Sequence, residues 1–581
     1  MKDFSTLADL SYFQANKFNN PKAFNFKENQ IWKSFSNQEF LEKTFHFACG
    51  LKEIGVVKNQ TLAIYAYQNP IWLIADFGSM LACATTVPIF SNISKEHLIF
   101  EISDSAVKFI FTDNPEIVAV IKSENLDVKI ITYGFKAENS FAFEDLISLG
   151  LKAVKENKYR IEHLLTNIQP QDLATIIYTS GSTGTPKGVE LTHLNLVSQI
   201  KDTAQCFFLK PQDVALSFLP LAHIFERMVM MFYITQGISI YFADDVKNVG
   251  NLLREIRPTL MTTVPRVLEK VFTRIKDGID SASFVKKFIG SKAFARALSK
   301  DVEAEKNFLD KIYDAIIYKK LRNSLGGNIR MIICGGAALS INLERFYSNI
   351  NIDLYCGYGL TEASPVLTCN RPGTKKFATI GKVFPSVELK IANDGELLAR
   401  GPNIMRGYHN CPQKTTEVIE DGWLKTGDKA VIDSEGFVKI IGRKKELFKT
   451  ANGKYVSPTP IENYLMQSLG FLVGAVIIAD GRKFVSVLLF PDFENLQKIK
   501  EKLNFAASDE EFLRSKNLQH FVEKNIEKVN KNFDHWEQIQ KFYIACSPIS
   551  IESGEITPSM KLKRNVVEEK FKEVIDQFYQ E

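Results

Sequence analysis

No two cysteines in this 581-residue chain stand in a CxxC pair, and no Cys/His cluster has zinc spacing. The eight present are scattered: Cys49, Cys83, Cys206, Cys334, Cys356, Cys369, Cys411 and Cys546. Several lie in apolar runs such as "LACATT" and "IICGG", where cysteine behaves as a small buried hydrophobe. That pattern argues against a disulfide scaffold and for a reducing, cytoplasmic compartment. Internal repeats and low-complexity tracts are also missing, so a solenoid and a long disordered arm are not expected. A secretory leader is not expected either, because "MKDFSTLADLSYFQANKF" is acidic early and has no apolar core. Uninterrupted hydrophobic runs of membrane length are lacking too. The best candidate, Ile71 to Phe90, contains Asp76, Gly78 and Pro88, and reads as a buried helix running into a strand. Charge of one sign is scarce: 72 Lys and Arg against 67 Asp and Glu leave +5. That is too little to argue for nucleic acid, though it suits anionic ligands or an anionic membrane surface.

What the chain does have is core material, 45% hydrophobic residues, in a length that calls for more than one domain. "QTLAIYAY", "KFIFT", "VKIITY", "ATIIYTS", "VALSFLP", "SIYFA" and "IRMIICGG" are short apolar strands separated by amphipathic segments. This texture predicts layered α/β structure with largely parallel sheet. Residues 271–326 differ, being helical in pattern and rich in lysine. Phe284/Phe288 and Phe308/Ile312/Ile316 recur at i, i+4, which predicts helices packing one apolar face into the core, with a membrane or acyl-chain role for this Lys/Phe-rich segment as the alternative. Near "EGFVKIIGRKKELFK" the texture changes to a short strand and a dense basic turn. A helix-like segment and two strands follow, which predicts a small α+β domain. The expected division is 1–444 and 445–581, with a helical insertion at about 271–326 in the first part.

The most unusual stretch is "YTSGSTGTPKGV", Tyr178 to Val189. A Walker loop needs Gly-Lys-Ser/Thr four residues after its first glycine. Here Pro186 and Gly188 occupy two of the required positions. The chemistry is nonetheless that of a phosphate cradle. Gly181 and Gly184 let backbone N–H groups approach an anion, Ser180, Ser182, Thr183 and Thr185 offer hydroxyls, and Lys187 offers a charge. Further along, "GYGLTEASP" sets Tyr358 for stacking on a base and Glu362 for a magnesium ion. "DGWLKTGD" ends in Asp428, suited to a ribose diol, and "GRKKELFKTANGKYVSP" supplies Arg443 for sugar or phosphate. "ITPSMKLKR" carries Lys561, a cation able to meet developing negative charge. Each of these alone is matched by a turn, a solvated charge or a core aromatic; their order along the chain carries the weight.

In that order and spacing the chain resembles the adenylate-forming superfamily, and within it the long-chain fatty acid–CoA ligases. "GRKKELFKTANGKYVSP", "ITPSMKLKRNVV" and the helical insertion carry the closer resemblance. The resemblance implies a large N-terminal domain and a small mobile C-terminal domain. It implies ATP, Mg2+ and coenzyme A, and a fatty carboxylate converted first to an acyl-adenylate and then to a thioester. Ser180, Gly181, Ser182, Thr183, Gly184, Thr185 and Lys187 would hold the β- and γ-phosphates, with Thr183 and Glu362 at the metal. Thr361 would lie by the α-phosphate, Gly335, Gly336 and Ala337 would border the adenine, Tyr358 would stack on it, and Gly359 would also belong to the nucleotide site. Asp428 and Arg443 would hold the ribose, and Lys561 would bridge the α-phosphate and the attacking carboxylate. His223, in "PLAHIFE", would sit beside the acyl carboxylate, Lys445 would be the hinge, and Gly453 would line the coenzyme A channel. Two positions depart from common family residues: Gly442, where Asp is frequent, and Ala338, where Pro is.

Two other outcomes stay open at this level. One is an adenylating enzyme that serves acyl carrier protein, or one that takes medium-chain or aromatic acids. The other is a silent acyl- or nucleotide-binding protein, disfavoured because Lys187, Glu362 and Lys561 are all present. Small-molecule substrates and no nucleic acid are expected. Peripheral contact with the inner face of the membrane is kept as an alternative to a purely cytoplasmic location.

Overall fold

A computed structural model of the chain describes residues 3–179, 186–302, 304–444, 447–493, 496–503, 505–506, 508–550, 553–556 and 562–580. The chain divides into two compact units. The larger comprises Met1–Ala392, Leu397–Thr426 and Ile432–Lys439; the smaller comprises Asn393–Glu396, Gly427–Val431 and Ile440–Glu581.

Two mixed sheets organise the larger unit. In the first, of eight strands, the parallel run is Thr85–Pro88, Thr61–Tyr65, Phe109–Thr112, Lys129–Thr132 and Ser140–Ala142. On its other side come Leu173–Thr179, then Lys187–Thr192 and Gly407–Tyr408, both paired antiparallel. In the second, of nine strands, the parallel run is Phe24–Glu28, Ser239–Phe242, Val214–Ser217, Leu260–Thr263, Met331–Cys334 and Asp353–Gly359. The central strands Thr61–Tyr65, Phe109–Thr112, Leu260–Thr263 and Met331–Cys334 are buried almost throughout, as both faces are covered.

The helix Pro70–Leu81 is buried along its whole length and leads into the buried strand Thr85–Pro88. Asn69 caps it, accepting from the N–H groups of Ile71 and Trp72, and Pro70 sits at its first turn, where a missing N–H costs nothing. Its Asp76 meets Arg227 of the equally buried helix Ile224–Gln236. The guanidinium donates to both carboxylate oxygens at 2.9 and 2.5 Å, and to the hydroxyls of Thr175 and Thr86 at 2.8 Å each. Both side chains are fully buried. The pair therefore depends on these hydrogen bonds to offset its desolvation.

The helices expected at 271–326 form, but the marked apolar residues of Phe284–Ser299 and of the segment after it face the other way. Helix Phe284–Ser299 buries Gly290, Ala293 and Ala297, a stripe of small residues. A Cβ on Gly290 would stand 3.0 Å from Ile279 Cγ2, so the helix docks closely on this side, and Tyr318 Oη donates to the carbonyl of Ala293. The expected apolar face is left outside: Phe284, Phe288, Phe308 and Ile316 are exposed. The core-packing expectation is corrected for these residues. The face that packs carries the small residues, which allow a near approach, together with Phe294, whose ring lies 4.9 Å from that of Phe272.

The smaller unit has a three-stranded sheet in the order Leu472–Ile478, Val485–Pro491, Ile539–Ile544. The helices Pro458–Leu469 and Lys516–Asn530 bury Ile461, Leu465, Leu518 and Val522 in this unit's own core. Among the described residues, no helix is long and apolar enough to cross a membrane.

Candidate active site

In parallel α/β sheets, ligands bind beyond the carboxyl ends of the strands. Three strands of the nine-stranded sheet carry candidate residues there, and a fourth, Leu260–Thr263, lies among them. Val214–Ser217 leads to His223, Leu260–Thr263 to Val264, Met331–Cys334 to Gly335–Ala337, and Asp353–Gly359 to Thr361 and Glu362. Cys334 stands beside Cys356 in the ladder, which brings the ends carrying Gly335 and Tyr358 side by side.

His223 is exposed and caps the helix Ile224–Gln236, its Nδ1 accepting from the Phe225 N–H at 3.3 Å. Phe225 in turn fills the space against Gly335: a Cβ there would lie 3.2 Å from the ring. The Gly335 N–H donates to the Thr263 carbonyl, and Gly336 has φ +81°, left-handed backbone that glycine adopts without strain. Tyr358 is half-buried. Gly359 admits no side chain, because a Cβ would fall 1.8 Å from the Pro365 carbonyl oxygen.

The phosphate loop lies between two antiparallel strands whose last rung pairs Thr179 with Lys187. Ser180, Gly181, Ser182, Thr183, Gly184 and Thr185 lie outside the described residues; Lys187 is fixed at the loop's base. Next in the ladder Gly188 fits under Ile176, His409 and Tyr178, with room for no Cβ: one would be 2.8 Å from Ile176. The short strand Gly407–Tyr408 pairs with Glu190 and Val189. Tyr408 is thereby placed between two predicted residues. Lys187 Nζ lies 5.1 Å from the centroid of its ring, and its Oη donates to Glu362 Oε1 at 2.8 Å. Burial and the adjacent carboxylate push the Tyr408 phenol well up, so it stays protonated and donating. Glu362 sits in the short turn Thr361–Ala363, and its carbonyl accepts from the Met405 N–H.

Tyr408 carries no mark in the sequence. "MRGYHN" is an ordinary turn, and its partner Glu362 is 46 residues away. Glu190 was likewise unmarked. It accepts from Arg406 and bonds His409 Nδ1 at 2.7 Å. The Glu190 carboxylate holds the His409 pKa above its ordinary value of 6.5.

Glu362 is a hard oxygen donor. No cluster of three or more His, Cys, Asp or Glu able to hold a metal occurs among the described residues. A lone, oriented carboxylate fits Mg2+, which commonly takes one or two protein carboxylates and completes its shell with phosphate oxygens and water.

Two more candidates pair with each other in the smaller unit. Arg443 Nε stands 3.0 Å from Asp428 Oδ1; the aspartate is nearly buried, while the arginine side chain is 58% exposed. Gly453, at φ +77°, turns the hairpin Phe448–Lys449/Tyr455–Val456 with open space around it. Gly442 suits its place, since a Cβ would meet Ser457 Oγ at 2.8 Å. Lys445 and Lys561 lie outside the described residues. On either side of residues 557–561 the chain is anchored. Ile556 bridges Leu562, and the Lys563 N–H donates to the Glu555 carbonyl at 2.7 Å. Leu562 fills the notch left by Gly474, and Arg564 holds Glu462 at 2.6 Å.

Comparison with known proteins identifies the class. Residues 13–409 match the AMP-binding enzyme family and residues 446–581 match the AMP-binding enzyme C-terminal domain. The chain belongs to the AMP-binding enzyme family. Among its relatives is the long-chain-fatty-acid–CoA ligase FadD15 of Mycobacterium tuberculosis, 32% identical over 560 residues, covering 94% of this chain and 93% of the relative. The long-chain-fatty-acid–CoA ligase ACSBG1 of Mus musculus is 30% identical, covering 99% and 86%. Two solved structures share the fold. One is the anthranilate CoA ligase AuaEII in complex with anthranoyl-AMP (TM-score 0.73, 16% identity, 99% of each chain). The other is the O-succinylbenzoate coenzyme A synthetase of Bacillus subtilis in complex with ATP and magnesium (TM-score 0.66, 19% identity, 96% and 98%).

Proposed function

We propose that this chain activates long-chain fatty acids as coenzyme A thioesters through an acyl-adenylate. The observation that supports this best is the Lys187–Tyr408–Glu362 arrangement at the base of the phosphate loop. It sets an ammonium and an oriented carboxylate beside the place where a triphosphate would lie. In the first half-reaction a carboxylate oxygen of the fatty acid attacks the α-phosphorus of ATP. The P–O bond to the β-phosphate breaks and pyrophosphate leaves. In the second, the sulfur of coenzyme A attacks the acyl carbonyl, the C–O bond to the nucleotide breaks, and AMP leaves. Adenylation replaces a poor leaving group with a good one.

Ser180, Gly181, Ser182, Thr183, Gly184, Thr185 and Lys187 bind the β- and γ-phosphates in this reading, and Glu362 with Thr183 holds Mg2+. When bound, Mg2+ neutralises charge on the phosphate oxygens. Gly335, Gly336, Ala337 and Tyr358 border the adenine, Thr361 approaches the α-phosphate, Gly359 also belongs to the nucleotide site, and Asp428 and Arg443 take the ribose. His223 faces the acyl carboxylate, and Lys561 stabilises charge that grows at the α-phosphate during attack. Residues 445–581 move as a unit about Lys445 between the half-reactions, and Gly453 serves the coenzyme A channel.

The preference for long chains is supported by the relatives named as long-chain ligases, at about twice the identity of the solved structures that act on aromatic acids. The test is fatty-acid-dependent pyrophosphate release and acyl-CoA formation over a graded series of acids, with Lys561→Ala as control. Acyl-CoA formed best from long acids, with adenylation collapsing in the variant, is the expected result. Pyrophosphate without acyl-CoA would redirect the search to another thiol such as acyl carrier protein. No pyrophosphate with any acid would overturn the reading.

A further inference from the structure

The helix Phe284–Ser299 has an unusual distribution of side chains for a helix on a globular enzyme. Its small residues pack inward together with Phe294, while three other large apolar residues point out: Phe284 is 87% exposed, Val285 65% and Phe288 56%. The helix contains Lys286, Lys287, Lys292 and Arg296 but no aspartate or glutamate. Lys286, Lys287 and Lys292 are exposed, and Lys292 Nζ lies 4.3 Å from the centroid of the Phe288 ring, so cation and aromatic share one face. Residues 281–325 hold ten Lys and Arg against five Asp and Glu, a surplus of five equal to the +5 of the whole chain. The rest of the protein is therefore neutral in sum, and its excess charge is concentrated here.

The segment beside this helix repeats the pattern. Asp310 binds Arg296 and Lys300, and Tyr318 binds the Ala293 carbonyl, which fasten the segment to the helix. Phe308 and Leu309 next to Asp310 are 77% and 51% exposed. A recess of about 200 Å³ opens at this junction, lined by Arg296, Lys300, Lys306 and Lys311 with Asp310 and Asp314. Cations thus outnumber anions in a hollow flanked by exposed apolar side chains.

We propose that this face docks on an anionic lipid bilayer. Exposed phenylalanines in water are costly, and a lipid interface accepts them while its anionic headgroups meet the lysines. The recess offers room and positive charge for a headgroup phosphate. A second copy of the chain is a poor occupant. Self-docking would bring two acid-free helices of like charge together, which repels. The inference does not rest on the adenylation chemistry. It concerns a surface formed by residues to which the reaction assigns no role.

The test uses the full-length protein and sedimentation with phosphatidylcholine vesicles, with and without phosphatidylglycerol. The wild type is expected to pellet with phosphatidylglycerol vesicles and to be released by salt. Phe284→Ser/Phe288→Ser and Lys286→Glu/Lys287→Glu should each weaken binding by about tenfold or more. These residues are exposed, so folding should be retained. Turnover of a fatty acid supplied without vesicles should match the wild type and checks this. A wild type that stays in the supernatant overturns the proposal. So do variants that bind as the wild type does, binding indifferent to phosphatidylglycerol, or a wild-type dimer in sedimentation velocity that the phenylalanine variant splits.

Discussion

Two of this molecule's Arg–Asp pairs have surroundings that assign them opposite work. Arg227–Asp76 is sealed between buried helices, with every contact supplied by the protein. Arg443–Asp428 has the same chemistry, but its guanidinium is open to solvent while its carboxylate is nearly covered. The sealed pair holds the fold together, whereas the open pair presents its guanidinium to solvent, where a ligand can reach it. The residue types do not distinguish the two cases; burial does.

Breaking the sealed pair should have the largest effect. Asp76→Ala strands a buried guanidinium, and stability should fall by about 3–5 kcal/mol. Urea unfolding of the larger unit, followed by its own probe because a chain of two units need not unfold in one step, checks this. An unchanged midpoint would show that the pair is dispensable. The same cut in the open pair should leave stability nearly untouched and fall on function instead. Arg443→Ala should keep the wild-type midpoint and raise the KM for ATP about tenfold, roughly 1.4 kcal/mol. Loss of stability without loss of ATP affinity would reverse the contrast.

Tyr408→Phe probes a polar contact of intermediate burial. Removing the hydroxyl from Glu362 should lower adenylation by about 3- to 10-fold, in line with roughly 1 kcal/mol for one hydrogen bond, and raise the Mg2+ requirement. An unaltered magnesium titration would mean Glu362 needs no help from Tyr408. The Glu190–His409 pair should give the smallest effect, and one that depends on pH. Its histidine is raised above 6.5 in the folded chain. The stability it contributes is therefore full below 6.5 and fades as pH rises through the folded value. Partial exposure and solvent screening keep it to about 1 kcal/mol or less. The wild-type midpoint should decline over that window, and the decline should flatten in His409→Gln.

Sheet strands were readable from sequence because burial on both faces leaves an unbroken apolar run, as in "IRMIICGG". Lys187 and Glu362 were readable because local motifs carry them. Tyr408 was not, since its place depends on a two-residue strand pairing with a distant ladder. Arg227 was not, because Asp76 lies 151 residues away and the apolar context of "IFERMVMMFYITQ" conceals a cation. The helix Phe284–Ser299 shows a different limit. Periodicity marked Phe284 and Phe288 as one apolar face, but nothing local says whether that face turns inward.

The rung between Thr179 and Lys187 has a further consequence for how this stretch can change over generations. Side chains alternate along the strand Lys187–Thr192, so losing or gaining one residue within it would move every later side chain to the opposite face. If the later residues kept their register instead, Gly188 would cede its narrow seat and Lys187 would lose its station by Tyr408. Length changes in this strand are thus governed by parity: odd ones scramble the corner, and even ones preserve which face each residue occupies.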